Sequence, residues 1–190
     1  MFSFMKIATF AALAFGTLAS AIPAPAPAPA AEAGALVTRT SPDVTAILTQ
    51  LSIDLENPCK ELSGVSADVS VQVVTDLVAK ITLLIQTATT ACGSASGLGS
   101  GNILLLLSVC IKLVISACGT CYNTCTDKVD ILVVLQLLDG VLAALVSVVL
   151  KLVGGVLAVV IGLLVGLLGT VVQLILSLKF TACAKVLLLL

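Results

Sequence analysis

From residue 44 onward the apolar positions recur at helical spacing, and toward the C-terminus they merge into an almost unbroken apolar run. Val44, Ile47, Leu48, Leu51 and Leu55 fall on one helical face. Ser41-Pro42-Asp43 just before them supplies an N-cap, a first-turn proline and a favourable acid. The pattern predicts an amphipathic helix to about Glu56, stopped by Asn57-Pro58. A second helix is expected from Ser66 or Asp68 to about Thr90, with Val69, Val73, Leu77, Ile81, Leu84 and Ile85 along one face. The glycine- and serine-rich stretch Gly93 to Asn102 reads as a flexible break. Ile103 to Ala117 reads as a short buried helix, leading into a compact cysteine cluster at Cys118, Cys121 and Cys125.

Val129 to Leu178 is the dominant feature, with Asp130, Asp139 and Lys151 as its only charges. Residues 152–178 carry no charge, and a helix of that length is about 40 Å, enough to cross a bilayer core of about 30 Å. One continuous helix over the whole stretch would be about 70 Å long, so a break is expected at Gly154-Gly155, giving a hairpin of residues 131–153 and 156–178. Asp139-Gly140 is a secondary weak point. On the second arm Gly155, Ala158, Gly162, Gly166 and Gly169 fall in one sector under about 120° wide, a small-residue stripe of the kind that lets helix backbones approach closely. The opposite side is a broad apolar face that includes Leu157, Ile161, Leu164, Leu168 and Val172.

Composition leaves the class of this half open. Apolar residues are 59% and charged residues 10% of the chain, against about 45–50% and about 25% in an ordinary soluble domain. A transmembrane helix over 152–178 accounts for that, but the chain has no Trp and a single Tyr, so the aromatic belt that anchors most spans is missing. A buried hairpin in a helical bundle leaves too much apolar surface for a small domain to cover. A half that adsorbs to interfaces or self-associates uses its exposure.

The N-terminus favours export. Lys6 precedes the apolar run Ile7 to Leu18, and Ala19-Ser20-Ala21 is a small-x-small cleavage signal, so residues 1–21 are expected to be a secretion signal. Pro23-Ala-Pro-Ala-Pro-Ala-Pro29 then makes residues 22–40 a spacer of extended character. Cys59, Cys92, Cys110, Cys118, Cys121, Cys125 and Cys183 suit an oxidising compartment and are disulfide candidates, their odd number leaving one unpaired within the chain.

Charge and chemistry narrow the function further. A formal net charge of −1 gives no electrostatic footprint for nucleic acid. The absence of His removes the commonest general base and metal ligand, so no catalytic, cofactor or metal site is expected. Cys118-x-x-Cys121 lacks both the βαβ setting of a dithiol redox site and the second ligand pair of a zinc site. Residues 93–101 lack the Lys-Ser/Thr of a phosphate loop.

The secretion signal, the Pro-Ala spacer, the amphipathic helices and the tract Leu137-Leu-Asp139-Gly140-Val-Leu-Ala-Ala-Leu-Val with Lys151-Leu-Val-Gly-Gly-Val-Leu-Ala-Val-Val carry a likeness. In these the chain resembles the secreted, non-hydrophobin structural proteins of filamentous basidiomycete fungi, which pair a polar N-terminal half with a very hydrophobic C-terminal half. The resemblance implies a wall or matrix protein that supports aerial hyphae and attachment to hydrophobic surfaces. Hydrophobins, with eight cysteines and two adjacent Cys-Cys pairs, are excluded by seven cysteines without an adjacent pair. The expectation is an all-α, disulfide-braced bundle of amphipathic helices plus an apolar C-terminal hairpin. Residues 41–126 form a cysteine-containing module and residues 127–190 a hydrophobic one. Expected partners are hydrophobic surfaces or cell-wall components and further copies of the chain, with membrane anchoring through 152–178 as the alternative.

Overall fold

The computed structural model of the chain describes residues 42–154 and 157–188, so the expected secretion signal and Pro-Ala spacer lie outside the described residues. Among those described, all regular structure is helical. The all-α expectation therefore holds. The helices are α1 (Val44–Ser63), α2 (Val71–Gly93), α3 (Ile103–Thr124), α4 (Lys128–Leu135), α5 (Leu137–Val153), α6 (Leu157–Leu168), α7 (Val172–Ser177) and α8 (Thr181–Val186), with a 3-10 turn at Gly169–Val171.

α1 starts on a cap two residues later than the Ser41 its sequence suggests. Asp43 is the N-cap, and its Oδ1 accepts the Ala46 N–H at 2.7 Å. Pro58 does not end the helix, which runs on to Ser63. An interior proline costs about 3 kcal/mol, but Cys59 and Leu62 beyond it are buried, and the leucine alone returns about 1.5–3 kcal/mol. The carbonyl of Asp54, which loses its partner to the proline, belongs to an exposed residue and can reach water.

α2 begins at Val71, later than expected, and buries Val74, Leu77, Val78, Ile81 and Ile85. Val73 is exposed and Leu84 half-buried, because α2 sits between α1 on one side and α4 and α5 on the other, which rotates and widens its apolar face. The stretch expected to be a flexible break is a strap. The N–H groups of Val44 and Thr45 donate to the carbonyls of Gly97 and Leu98, at 3.0 and 3.2 Å, and Thr45 Oγ1 also donates to Leu98 O at 2.9 Å. The strap thereby satisfies first-turn donors of α1 that have no partner inside the helix. Gly99, at φ +82, is required here, since a Cβ would stand 2.6 Å from Thr45 Oγ1.

α3 is longer than the expected segment and carries Cys118 and Cys121 in its own body, so the cysteine cluster is the end of a helix rather than a separate knot. The apolar stretch then breaks at Gln136, between α4 and α5, whereas Asp139-Gly140 lies inside α5. The expected turn is found at Gly154, a left-handed C-cap at φ +57. The second arm is further divided into α6, the 3-10 turn and α7.

One core runs through all of this. Its buried members extend from Val44 in α1 to Leu187 past α8, so residues 41–126 and 127–190, read as modules, share it. α1 packs on α3 and α2, α2 on α5, α5 on α8, and α6 on α3. Asp139 in α5 is the buried polar tie: its Oδ2 accepts the Ala182 N–H at 2.7 Å and its Oδ1 the Cys183 N–H at 2.8 Å, capping α8 onto the core.

Candidate functional site

α6 is apolar or glycine at every position, so any face it turns outward is apolar. Ile161, Leu164 and Leu168 are buried, and the packing partner of this helix is α3. Val172, the last residue of the predicted apolar face, is half-buried at the start of α7. The face expected to adhere to surfaces is therefore the one turned into the monomer. What faces out is the small-residue side: Ala158, Gly162, Gly166 and Gly169 are exposed, together with Val159 at 61% and Leu163 at 58% of their full exposure. Gly155 lies outside the described residues, as does the side chain of Leu157.

Among the described residues, the glycines of the stripe consequently have open space beside them. A Cβ built on Gly162 or Gly166 meets no atom within 4 Å. The close approach that glycine permits occurs instead at Gly119 of α3, where a Cβ would stand 3.1 Å from Leu174 of α7. The sequence pattern offered no signal for Gly119, because a lone glycine among cysteines has no periodicity to join.

A second exposed apolar row escaped sequence reading. Val129, Val133 and Leu137 recur every four residues along α4 and into α5, and all three are exposed. Their spacing is that of a helix face, but in a run where nearly every residue is apolar, periodicity does not mark which face is outside.

Among the described residues, four helical stretches are long and apolar enough to cross a membrane by length and composition: Val71–Gly93, Ile103–Thr124, Lys128–Val153 and Ala158–Ser177. Ala158–Ser177 is the least covered by the rest of the protein, with 28% of its most apolar window buried.

All seven cysteines are buried thiols, and no pair stands at bonding distance. Burial pushes Cys59, Cys110 and Cys121 up to about 12. It raises Cys118 and Cys183 as well, Cys183 with a further contribution from its hydrogen-bonded neighbour Asp139. Such thiols are poor nucleophiles. Among the described residues no group of His, Cys, Asp and Glu is placed to hold a metal ion. A groove of about 650 Å³ between α1 and α3 is lined by Glu56, Lys60, Ser63, Lys112, Ser116 and Thr120 over Cys59 and apolar side chains. Lys60 and Ser116 stand exposed at this groove, and Ser63 and Lys112 are half-buried. No protein-family model, curated protein or solved structure matches the chain.

Proposed function

We propose that this is a secreted, surface-active structural protein that adsorbs to or assembles at hydrophobic interfaces, and that its disulfides form after export. The observation that carries the reading is the outer side of α6, where Ala158, Val159, Gly162, Leu163 and Gly166 face solvent with no polar side chain among them. A soluble helix normally turns charged or polar residues outward, and an uninterrupted apolar face marks a contact surface. The row Val129, Val133 and Leu137 adds a second such surface. The sequence resemblance supplies the setting: a fungal wall or extracellular matrix, with a part in aerial hyphae and attachment.

Membrane anchoring is the second reading, favoured by the slight coverage of Ala158–Ser177. Culture fractionation separates the two. Recovery from the medium or wall, released without detergent, supports secretion, while recovery only in detergent-extracted membranes refutes it. Adsorption is tested with Val159→Lys/Leu163→Lys, which should lower binding to an alkyl-coated surface and leave the helical circular dichroism unchanged. Undiminished binding by the folded variant removes α6 from the proposal.

A further inference from the structure

Among the seven buried thiols, Cys121 and Cys125 have their sulfurs in contact, 3.8 Å apart. The reason lies in the backbone. Cys121 is in the last turns of α3, and Cys125 is the C-cap residue, already extended at φ −69 and ψ 144. The Cys125 N–H donates to Cys121 O at 3.0 Å and holds the exit turn closed. Closing from contact to a bond of about 2.05 Å needs only side-chain rotation and a small backbone adjustment. Other thiols are engaged elsewhere: Cys110 Sγ donates to Leu48 O at 3.7 Å and Cys183 Sγ to Asp139 O at 3.4 Å. Cys59 and Cys92 are close enough to Cys110, and Cys59 to Cys118, to act on their charge, whereas the groups that act on Cys183 on α8 are Asp139 and Ala143.

We propose that Cys121 and Cys125 form a disulfide that staples the corner between α3 and α4, and that Cys183 is the odd cysteine and stays a thiol. This deepens the export reading and rests on it for the oxidising compartment. The chemistry is two thiol–disulfide exchanges with a small-molecule disulfide of the glutathione class. One cysteine thiolate attacks a sulfur of that disulfide, which forms a mixed disulfide and releases one glutathione thiolate. The second cysteine thiolate attacks the cysteine sulfur of the mixed disulfide, closing the protein bridge and releasing the second glutathione. Two protein thiols are oxidised, one glutathione disulfide is reduced, and the two protons leave with the two glutathione thiolates. Burial holds the Cys121 thiol up at about 12, so exchange proceeds while the corner is still open to solvent rather than in the finished fold. The staple has a structural object: at the next residue Thr126 donates from both N–H and Oγ1 to Ala67 O, at 3.1 and 3.2 Å, tying the corner to the loop between α1 and α2.

The test uses the full chain refolded in a mixture of glutathione and glutathione disulfide, with free thiols blocked by iodoacetamide under denaturing conditions. Trypsin then places Cys118, Cys121 and Cys125 together in the peptide of residues 113–128, and Cys183 in that of residues 180–185. Chymotrypsin cuts behind Tyr122, between the proposed partners. The two fragments should stay joined until reduced, in the unchanged protein and in Cys118→Ser, and should part in Cys121→Ser. The Cys183 peptide should carry the blocking group. Separation of the fragments in the unchanged protein or in Cys118→Ser overturns the staple, and a Cys183 peptide linked to another overturns the assignment of the odd thiol. Protein blocked directly from the culture distinguishes the two layers. A bridge in both samples supports the pairing and its formation after export together, and a bridge only after refolding keeps the pairing while overturning its formation after export.

Discussion

Leu163 and Leu164 are neighbours in α6 with identical side chains and opposite surroundings, which makes them a matched test of which side of this helix does what. Leu164 is fully buried and Leu163 is 58% exposed. Leu164→Ala deletes core volume beside α3, and large-to-small changes of that kind cost about 2–5 kcal/mol. Leu163→Ala removes a side chain that is mostly in water, so the expected loss of stability is about 0.5 kcal/mol or less. At an interface the order reverses. Full burial of a leucine is worth about 1.5–3 kcal/mol. The exposed part of Leu163 thus offers about 1 kcal/mol to a hydrophobic surface, roughly a five-fold change in adsorption constant. Urea unfolding followed by circular dichroism gives the first quantity, and a quartz-crystal-microbalance isotherm on an alkyl monolayer gives the second. Leu164→Ala should lower the unfolding midpoint without weakening adsorption, and Leu163→Ala should weaken adsorption with the midpoint nearly unmoved. A large stability loss in Leu163→Ala, or adsorption lost only in Leu164→Ala, refutes this assignment of faces.

Three further outcomes are expected. Asp139→Ala removes two charge-assisted hydrogen bonds of about 1.5–3 kcal/mol each, less the cost of holding that carboxylate in the core. A net loss of about 2–4 kcal/mol is expected; hydrogen exchange should show the amides of Ala182 and Cys183 deprotected first, and unchanged protection there would refute the tie. Gly162→Ala, with open space around it, should stabilise by about 0.4–1 kcal/mol, whereas Gly119→Val, meeting Leu174, should destabilise by about 1–3 kcal/mol; thermal melts check both signs. Finally, Cys59 has its pKa raised by burial from 9.0 to about 12, so in the reduced protein its contribution is fully present below about pH 9 and is lost as pH rises toward 12. Cys59→Ser should flatten the alkaline fall in melting temperature, and an identical slope would show that this thiol does not drive it.

Legibility in the sequence follows how much contrast a stretch contains. α1 and α2 alternate apolar and polar positions, so their existence and most of their buried residues are readable, among them Leu48, Leu51, Leu55, Leu77, Ile81 and Ile85. Their ends are less so: Pro58 is carried by Leu62 packing in the core beyond it, and Ser41 and Asp43 are both cap residues, of which Asp43 is the one whose carboxylate accepts the Ala46 N–H. The turn at Gly154 is readable because a left-handed residue favours glycine. Asp139 is misread as a weak point, since its value comes from two N–H groups more than forty positions away along the chain. Gly119 is silent for the same reason: its partner, Leu174, lies on a different helix.

α6 fails differently, and its failure bears on function. A helix that is apolar all round has a spacing pattern but no polar side to fix the direction, so the arrangement is chosen by volume. Ile161, Leu164 and Leu168 fill space against α3 that glycines would leave empty, and a void of that kind costs more than exposing a methyl-poor surface. The bulky residues therefore go in and the glycines go out. That choice also limits what the protein shows to water, because a face of Gly162, Gly166 and Ala158 exposes far less hydrocarbon than one of leucines. Val159 and Leu163 are left as isolated anchors on an otherwise low-relief surface. On the proposed function, an arrangement of this kind limits the hydrocarbon that this side of the helix shows to water, yet would let a smooth uncharged helix lie close against a hydrophobic surface or against the same helix of another copy. On that same proposal, restraint before contact and affinity at contact would both come from a single distribution of side-chain volume along one helix.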